Sequence, residues 1–177
     1  MENSATNRQA VPNAYSPGVI MGLSKSTVEP PTLRSDGMRD WMIHFTLVGR
    51  GRVNRGENQF ECGPGAITLF PPGVIHDYGP APKDGYWEHL WVYFQPRPQW
   101  YPYLEWPDQG DGVRGFSPQY ESMKLRIGAA LKAAYRQLRS ADRMSSELAA
   151  NYLEQSLLWC MSELGKTNST AFLDPRV

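Results

Sequence analysis

The 177-residue chain has no surplus of either charge, because 18 Lys and Arg balance 18 Asp and Glu. A nucleic-acid or anionic-membrane surface needs a basic excess, so these residues are expected to form neither. Long apolar runs are missing as well. No stretch approaches the roughly 20 apolar residues that cross a bilayer, and residues 1–18 lack the basic-then-apolar pattern of a secretory signal. A soluble, cytoplasmic protein is expected. Cysteine is scarce: Cys62 and Cys160 have no paired spacing and read as free thiols in a reducing compartment. The chain contains no G-x-S-x-G elbow, no phosphate loop and no G-x-G-x-x-G opening a helix. Its carboxylates, notably Asp77, Asp84 and Glu88, form no evident acid–base couple. Hydrolase and nucleotide-enzyme readings lose their usual supports.

What the chain does have is a normal apolar share, 41%, and an aromatic share of 12%. The aromatics crowd between Trp87 and Trp106. Residues 1–18 are polar and read as an arm. From Trp41 the pattern alternates, with Trp41, Ile43, Phe45 and Leu47 on one face of a strand. Gly49-Arg50-Gly51 turns the chain, Arg55–Asn58 is a hairpin loop, and Gly63-Pro64-Gly65 leads into a strand over Ile67–Phe70. Pro71-Pro72-Gly73 ends that strand, since proline donates nothing to a ladder and glycine permits the reversal. A loop over 79–85 precedes another strand, Trp87–Phe94, and residues 96–118 read as irregular. The period then becomes helical, with one helix of about 18 residues carrying Ile127, Leu131, Ala134, Tyr135 and Leu138. A second runs from about Ser146 to Leu164, capped by Ser145 and stopped by Gly165. Short strands followed by a helical hairpin predict a β-sandwich or barrel with C-terminal helices.

The strand at 87–94 has two chemistries. Glu88, Leu90, Val92 and Phe94 make a mostly aliphatic face suited to a partner layer. Trp87, His89, Trp91 and Tyr93 make the other. Those aromatics are either core or a platform for a sugar, whose C–H face stacks on indole while its hydroxyls seek polar groups. Arg34 and Arg39 flank a loop, and either is a solvated charge or a fork reaching into a pocket. The three histidines, His44, His76 and His89, are far apart in sequence with no HxH pair, so no metal site is expected. His76 is expected at the rim of the barrel, satisfying local loop groups. In the second helix, Ala149, Leu153, Leu157, Met161 and Leu164 form a stripe to lay against the barrel. Beside it, Leu148, Asn151, Gln155 and Leu158 have the spacing of a coiled-coil seam, or of a solvated polar edge.

The spacing G-x5-P-x-G-x2-H from Gly65 to His76 matches half of the cupin signature. More specifically, FECGPGAITLFPPGVIHDY at 60–78 and WEHLWVYFQPRPQW at 87–100 resemble the N-terminal domain of AraC-type transcription regulators. GLS at 22–24, NYLEQSLLW at 151–159 and the closing Arg176-Val177 extend the likeness over about residues 15–177.

The resemblance implies a cupin-like jelly-roll β-barrel followed by an antiparallel two-helix hairpin. It implies an arm at 1–18, a sugar-binding barrel at 19–118, a dimerisation hairpin at 119–166, and at 167–177 the start of a linker to an absent helix-turn-helix domain. It also implies an effector site of Arg34, Tyr78, His89 and Trp91, with Ser24 in place of a threonine and Tyr15 of the arm in place of a phenylalanine. The effector would be a monosaccharide, with L-arabinose the leading candidate, controlling sugar-catabolism genes. No cofactor and no catalysis are implied, and promoter DNA would be bound only through the absent domain. A homodimer would form through Leu148, Asn151, Gln155 and Leu158. Two departures stand out: the segment between Ser24 and Arg34 is about four residues shorter than in the family, and Glu147 replaces a leucine. The rival reading from the residues is a metal-independent cupin sugar isomerase or epimerase using His89 or His76 as base.

Overall fold

A computed structural model of the chain describes residues 18–27, 31–83 and 85–171. Among the described residues nine strands come first: β1 (Ile20–Ser26), β2 (Thr32–Arg34), β3 (Trp41–Gly49), β4 (Gly51–Val53), β5 (Phe60–Cys62), β6 (Ile67–Phe70), β7 (His76–Pro80), β8 (Trp87–Phe94) and β9 (Arg114–Phe116). Two helices follow, α1 (Glu121–Leu138) and α2 (Ser145–Ala171). The strands form two antiparallel sheets, one ordered β1-β8-β3-β6-β9 and the other β2-β7-β4-β5. This is the expected mainly-β, cupin-like architecture with C-terminal helices.

The two-faced strands explain the layering. Along β3 and β8, Ile43, Phe45, Leu90, Val92 and Phe94 point away from the second sheet and bury against Ile127 and Leu131 of α1 and Leu153 and Leu157 of α2. Each such side chain, fully buried, contributes about 1.5–3 kcal/mol. The opposite faces bury Met42, Val53, Phe70, Tyr78 and Trp87 between the sheets. The aliphatic face of β8 thus meets a helical layer, and its aromatic face meets the barrel interior.

Several expectations need correction. Two strands precede Trp41, because β1 and β2 are half-exposed and carry glycine, serine and proline neighbours that mask their period. The 96–118 segment is not wholly irregular: Pro98–Leu104 is a 3-10 helix that buries Trp100 and Leu104, and β9 adds to the first sheet beside β6. β7 extends to Pro80, into the expected loop. Gly165 does not stop α2, which continues to Ala171; an isolated glycine costs a helix only about 1 kcal/mol. Ser145 lies inside that helix, and Asp142 Oδ1 instead accepts the Met144 N–H at the entry to it (2.6 Å). The stripe from Ala149 to Leu157 faces chiefly α1 and the 98–104 segment rather than the strands alone. Both cysteines are buried and free.

Candidate functional site

The site is built on β8 and its neighbours. β1 pairs along one edge of β8, setting Gly22 opposite Trp91, Ser24 opposite His89 and Ser26 opposite Trp87. In the second sheet β2 pairs with β7, setting Thr32 opposite Tyr78 and Arg34 opposite His76. Side chains directly across a ladder are neighbours, and diagonal ones stay within reach of long side chains. A cavity of about 470 Å³ lies between these walls, and its lining includes Ser24, Arg34, Tyr78, His89, Trp91 and Tyr93. That volume falls in the usual range of about 300–1,000 Å³ for small-ligand sites.

Arg34 is the hub. Its Nη1 donates to Tyr78 Oη (3.2 Å) and Tyr93 Oη (3.2 Å) and points at His76 Nδ1 (3.3 Å). Among the described residues it is the one formal charge in the cavity lining, and no carboxylate pairs with it. Burial opposes its charge, but the Tyr78 and Tyr93 hydroxyls outweigh that and raise its pKa. Tyr93 is pushed up to about 12, first by burial and then by Tyr78. It therefore stays a neutral hydroxyl.

The histidines form a neutral aromatic floor. His89 stacks on Trp87, with ring centroids 3.6 Å apart and planes 21° from parallel, and burial lowers its pKa to about 4. His44 meets Tyr78 edge-on at 4.4 Å and lies 4.6 Å from His89. Burial above all, then His89, His76 and Arg34, hold it well below the ordinary histidine range. An uncharged imidazole both donates and accepts, as a ligand hydroxyl requires. Among the described residues no three His, Cys, Asp or Glu side chains are grouped to hold a metal.

Two glycines make room for the indoles. A Cβ on Gly22 would lie 2.1 Å from Trp91 Cζ2, and one on Gly51 would lie 2.4 Å from Trp87 Cε2. Both rings sit directly on backbone, as glycine within a strand often permits.

The sequence pattern of the AraC-like ligand binding domain matches residues 37–157. The chain belongs to that family. Its similarity is high to two arabinose operon regulatory proteins. The one from Salmonella typhimurium is 37% identical over 131 residues, 74% of this chain and 46% of that protein. The one from Escherichia coli is 36% identical over 131 residues, 74% of this chain and 44% of that protein. The chain thus spans less than half the length of these relatives. In fold it resembles apo ToxT from Vibrio cholerae, with a TM-score of 0.56 and 9% identity over 85% of this chain and 56% of that one.

In this AraC-like ligand binding domain, five of the six residues expected at the effector site, Ser24, Arg34, Tyr78, His89 and Trp91, line this same cavity. Tyr15 lies outside the described residues. Arg34 reaches inward while Arg39 is exposed. His76 is fully buried rather than at the rim, and its Nδ1 faces Arg34 rather than loop groups. Thr32, Trp87 and Tyr93 also line the cavity and were not among the expected ligand residues. Trp87 and Tyr93 already stood, with His89 and Trp91, on the aromatic face read as core or sugar platform. Gly22 also left a signal, an isolated glycine between strand residues, whereas Thr32 left none.

On α2, Leu148, Asn151, Gln155 and Leu158 are all exposed. Asn151 Oδ1 accepts from Arg97 Nη1 at 3.5 Å, and Glu147 Oε2 accepts from Arg97 Nη2 at 2.6 Å. No helix among the described residues is long and apolar enough to cross a membrane.

Proposed function

We propose that this chain is the effector-binding and dimerisation half of an AraC-type transcription regulator that senses a monosaccharide, L-arabinose before others. The observation that carries this is the cavity wall itself: an indole platform, a neutral imidazole, two phenols, a serine hydroxyl and a guanidinium converge on about 470 Å³. A sugar ring presents an apolar face to Trp91 and a hydroxyl rim to Arg34, Tyr78, His89 and Ser24, so each polar group that leaves water regains a partner. The names of the two relatives supply arabinose. The chain acts by binding rather than turnover, in the cytoplasm, where promoter DNA would be contacted by a separate helix-turn-helix domain.

In this reading residues 19–118 are the sensor, 119–166 carry the dimer contact, and Tyr15 of the 1–18 segment adds a contact to the sugar. The exposed Leu148 and Leu158, flanking Asn151 and Gln155, are the seam. The test is a tryptophan-fluorescence titration with pentoses and hexoses, with chromatography of the mixture afterwards. A saturable change with L-arabinose and unaltered sugar supports the sensor. Consumed sugar points to an isomerase or epimerase, and no response to any sugar overturns the effector class.

A further inference from the structure

We infer that His76 is the positioning residue of the site: its Nδ1 lone pair, with the Tyr78 and Tyr93 hydroxyls, captures Nη1 of Arg34 and so presents the remaining Arg34 donors, Nη2 and Nε, to the ligand. The inference rests on the effector-site reading above and deepens it. Nη1 carries two N–H bonds, and three acceptors 3.2–3.3 Å away share them. That nitrogen is spent. Among the described residues Nη2 and Nε make no hydrogen bond, so the outer edge of the planar fork is left to meet vicinal ligand oxygens. An arginine side chain has four rotatable bonds and loses much rotamer freedom when fixed. Fixing it before the ligand arrives removes that cost from binding.

The histidine itself has little structural reason to be polar. It is fully buried, and its Nε2 has no hydrogen-bond partner among the described residues. Its ring lies 4.9 Å from that of Phe70, an apolar neighbour that asks for no polar partner. Its Nδ1 must stay unprotonated to accept, and burial first and the Arg34 charge second hold its pKa down to about 4. Among the described residues the polar ring thus meets its need only at Arg34, on the strand directly across.

The test compares His76→Leu, which removes the acceptor, with His76→Asn, whose side-chain oxygen takes the place of Nδ1. Calorimetric titration with L-arabinose should give His76→Leu an affinity about tenfold weaker and His76→Asn one within about threefold of wild type, while His76→Leu melts no lower than wild type. A structural histidine predicts the reverse: lowered melting with unchanged affinity. Equal losses in both variants, or no loss in His76→Leu, overturn the inference. A second readout needs no sugar. In the ligand-free wild type, nitrogen-detected NMR should show slowly rotating, separate Nη1 and Nη2 signals for Arg34, merged in His76→Leu. If the signals are merged in wild type or stay separate in His76→Leu, the inference fails. A wild type that ignores L-arabinose refutes the sugar reading, and the NMR comparison then decides the role of His76 by itself.

Discussion

Replacing Gly22 by alanine tests whether Trp91 is held as a platform. The added Cβ would stand 2.1 Å from Cζ2, 2.4 Å from Cε2 and 2.8 Å from Nε1 of that indole. Carbon atoms rest about 3.5–4.0 Å apart, so the ring has to retreat by at least about 1.4 Å. One side of its path is the cavity that a ligand would fill, and another is Tyr93, whose ring centre is 5.5 Å away. Overpacking of this kind costs about 1–3 kcal/mol, and the backbone gain from glycine to alanine returns about 0.5–1. The net loss of stability is therefore small, about 1 kcal/mol, while a displaced stacking surface forfeits about 0.5–1.5 kcal/mol beyond its area. Affinity for L-arabinose should fall about tenfold with an urea midpoint close to wild type, and the Trp emission of the free protein should shift. Combining Gly22→Ala with Trp91→Phe should restore the lost stability, because the smaller ring clears the methyl, but not the affinity. A Gly22→Ala protein that titrates like wild type would show that Trp91 is not the platform.

Acid should weaken the fold through its histidines. His76 and His89 have pKa values of about 4 when folded against 6.5 ordinarily, so between those values the unfolded chain binds protons that the folded chain refuses. Stability then falls as pH drops from 6.5 towards 4, by about 3 kcal/mol for each histidine, and levels off below; equal urea midpoints at pH 7.5 and 4.5 would contradict this. Asp77→Ala should be costly, because Arg52, 6% exposed, loses its 2.9 Å partner and Arg55 its 2.7 Å one. Stranding a buried charge costs about 3–5 kcal/mol, or about 10 °C in melting temperature, and a drop under 3 °C would refute a structural role for the pair. Asn151→Lys places a second cation beside Arg97 on the exposed face of α2. It should halve the mass seen by sedimentation velocity, and an unchanged mass would put the dimer contact elsewhere.

Period and turn chemistry made most of this fold legible. β3 and β8 alternate cleanly because each is a central strand with two different packed faces, and the sorting of β8 into aliphatic and aromatic sides anticipated which side lines the cavity. α1 was legible in its length of about 18 residues because its apolar stripe is continuous. What escaped lies at the edges. β1 is an edge strand paired on one side only, so little of it is buried and its period is weak. β2 is three residues long, flanked by Pro31 and a turn, too short for any pattern.

Missing β2 had a chemical consequence. Arg34 could be read only as one of two loop guanidiniums, and the residues that fix it, His76 and Tyr78, are 42 and 44 positions away. Without the strand there is no register, and without the register there is no reason to set Arg34 opposite His76. The imidazole then looks like a loop histidine satisfying its neighbours, which is how the motif ending at His76 reads in isolation. The same gap hides Thr32, since its place in the cavity follows from standing opposite Tyr78. Motif and alternation identify side chains able to bind a ligand. The groups that aim those side chains belong to a different strand, and they become visible only when the ladder between β2 and β7 is drawn.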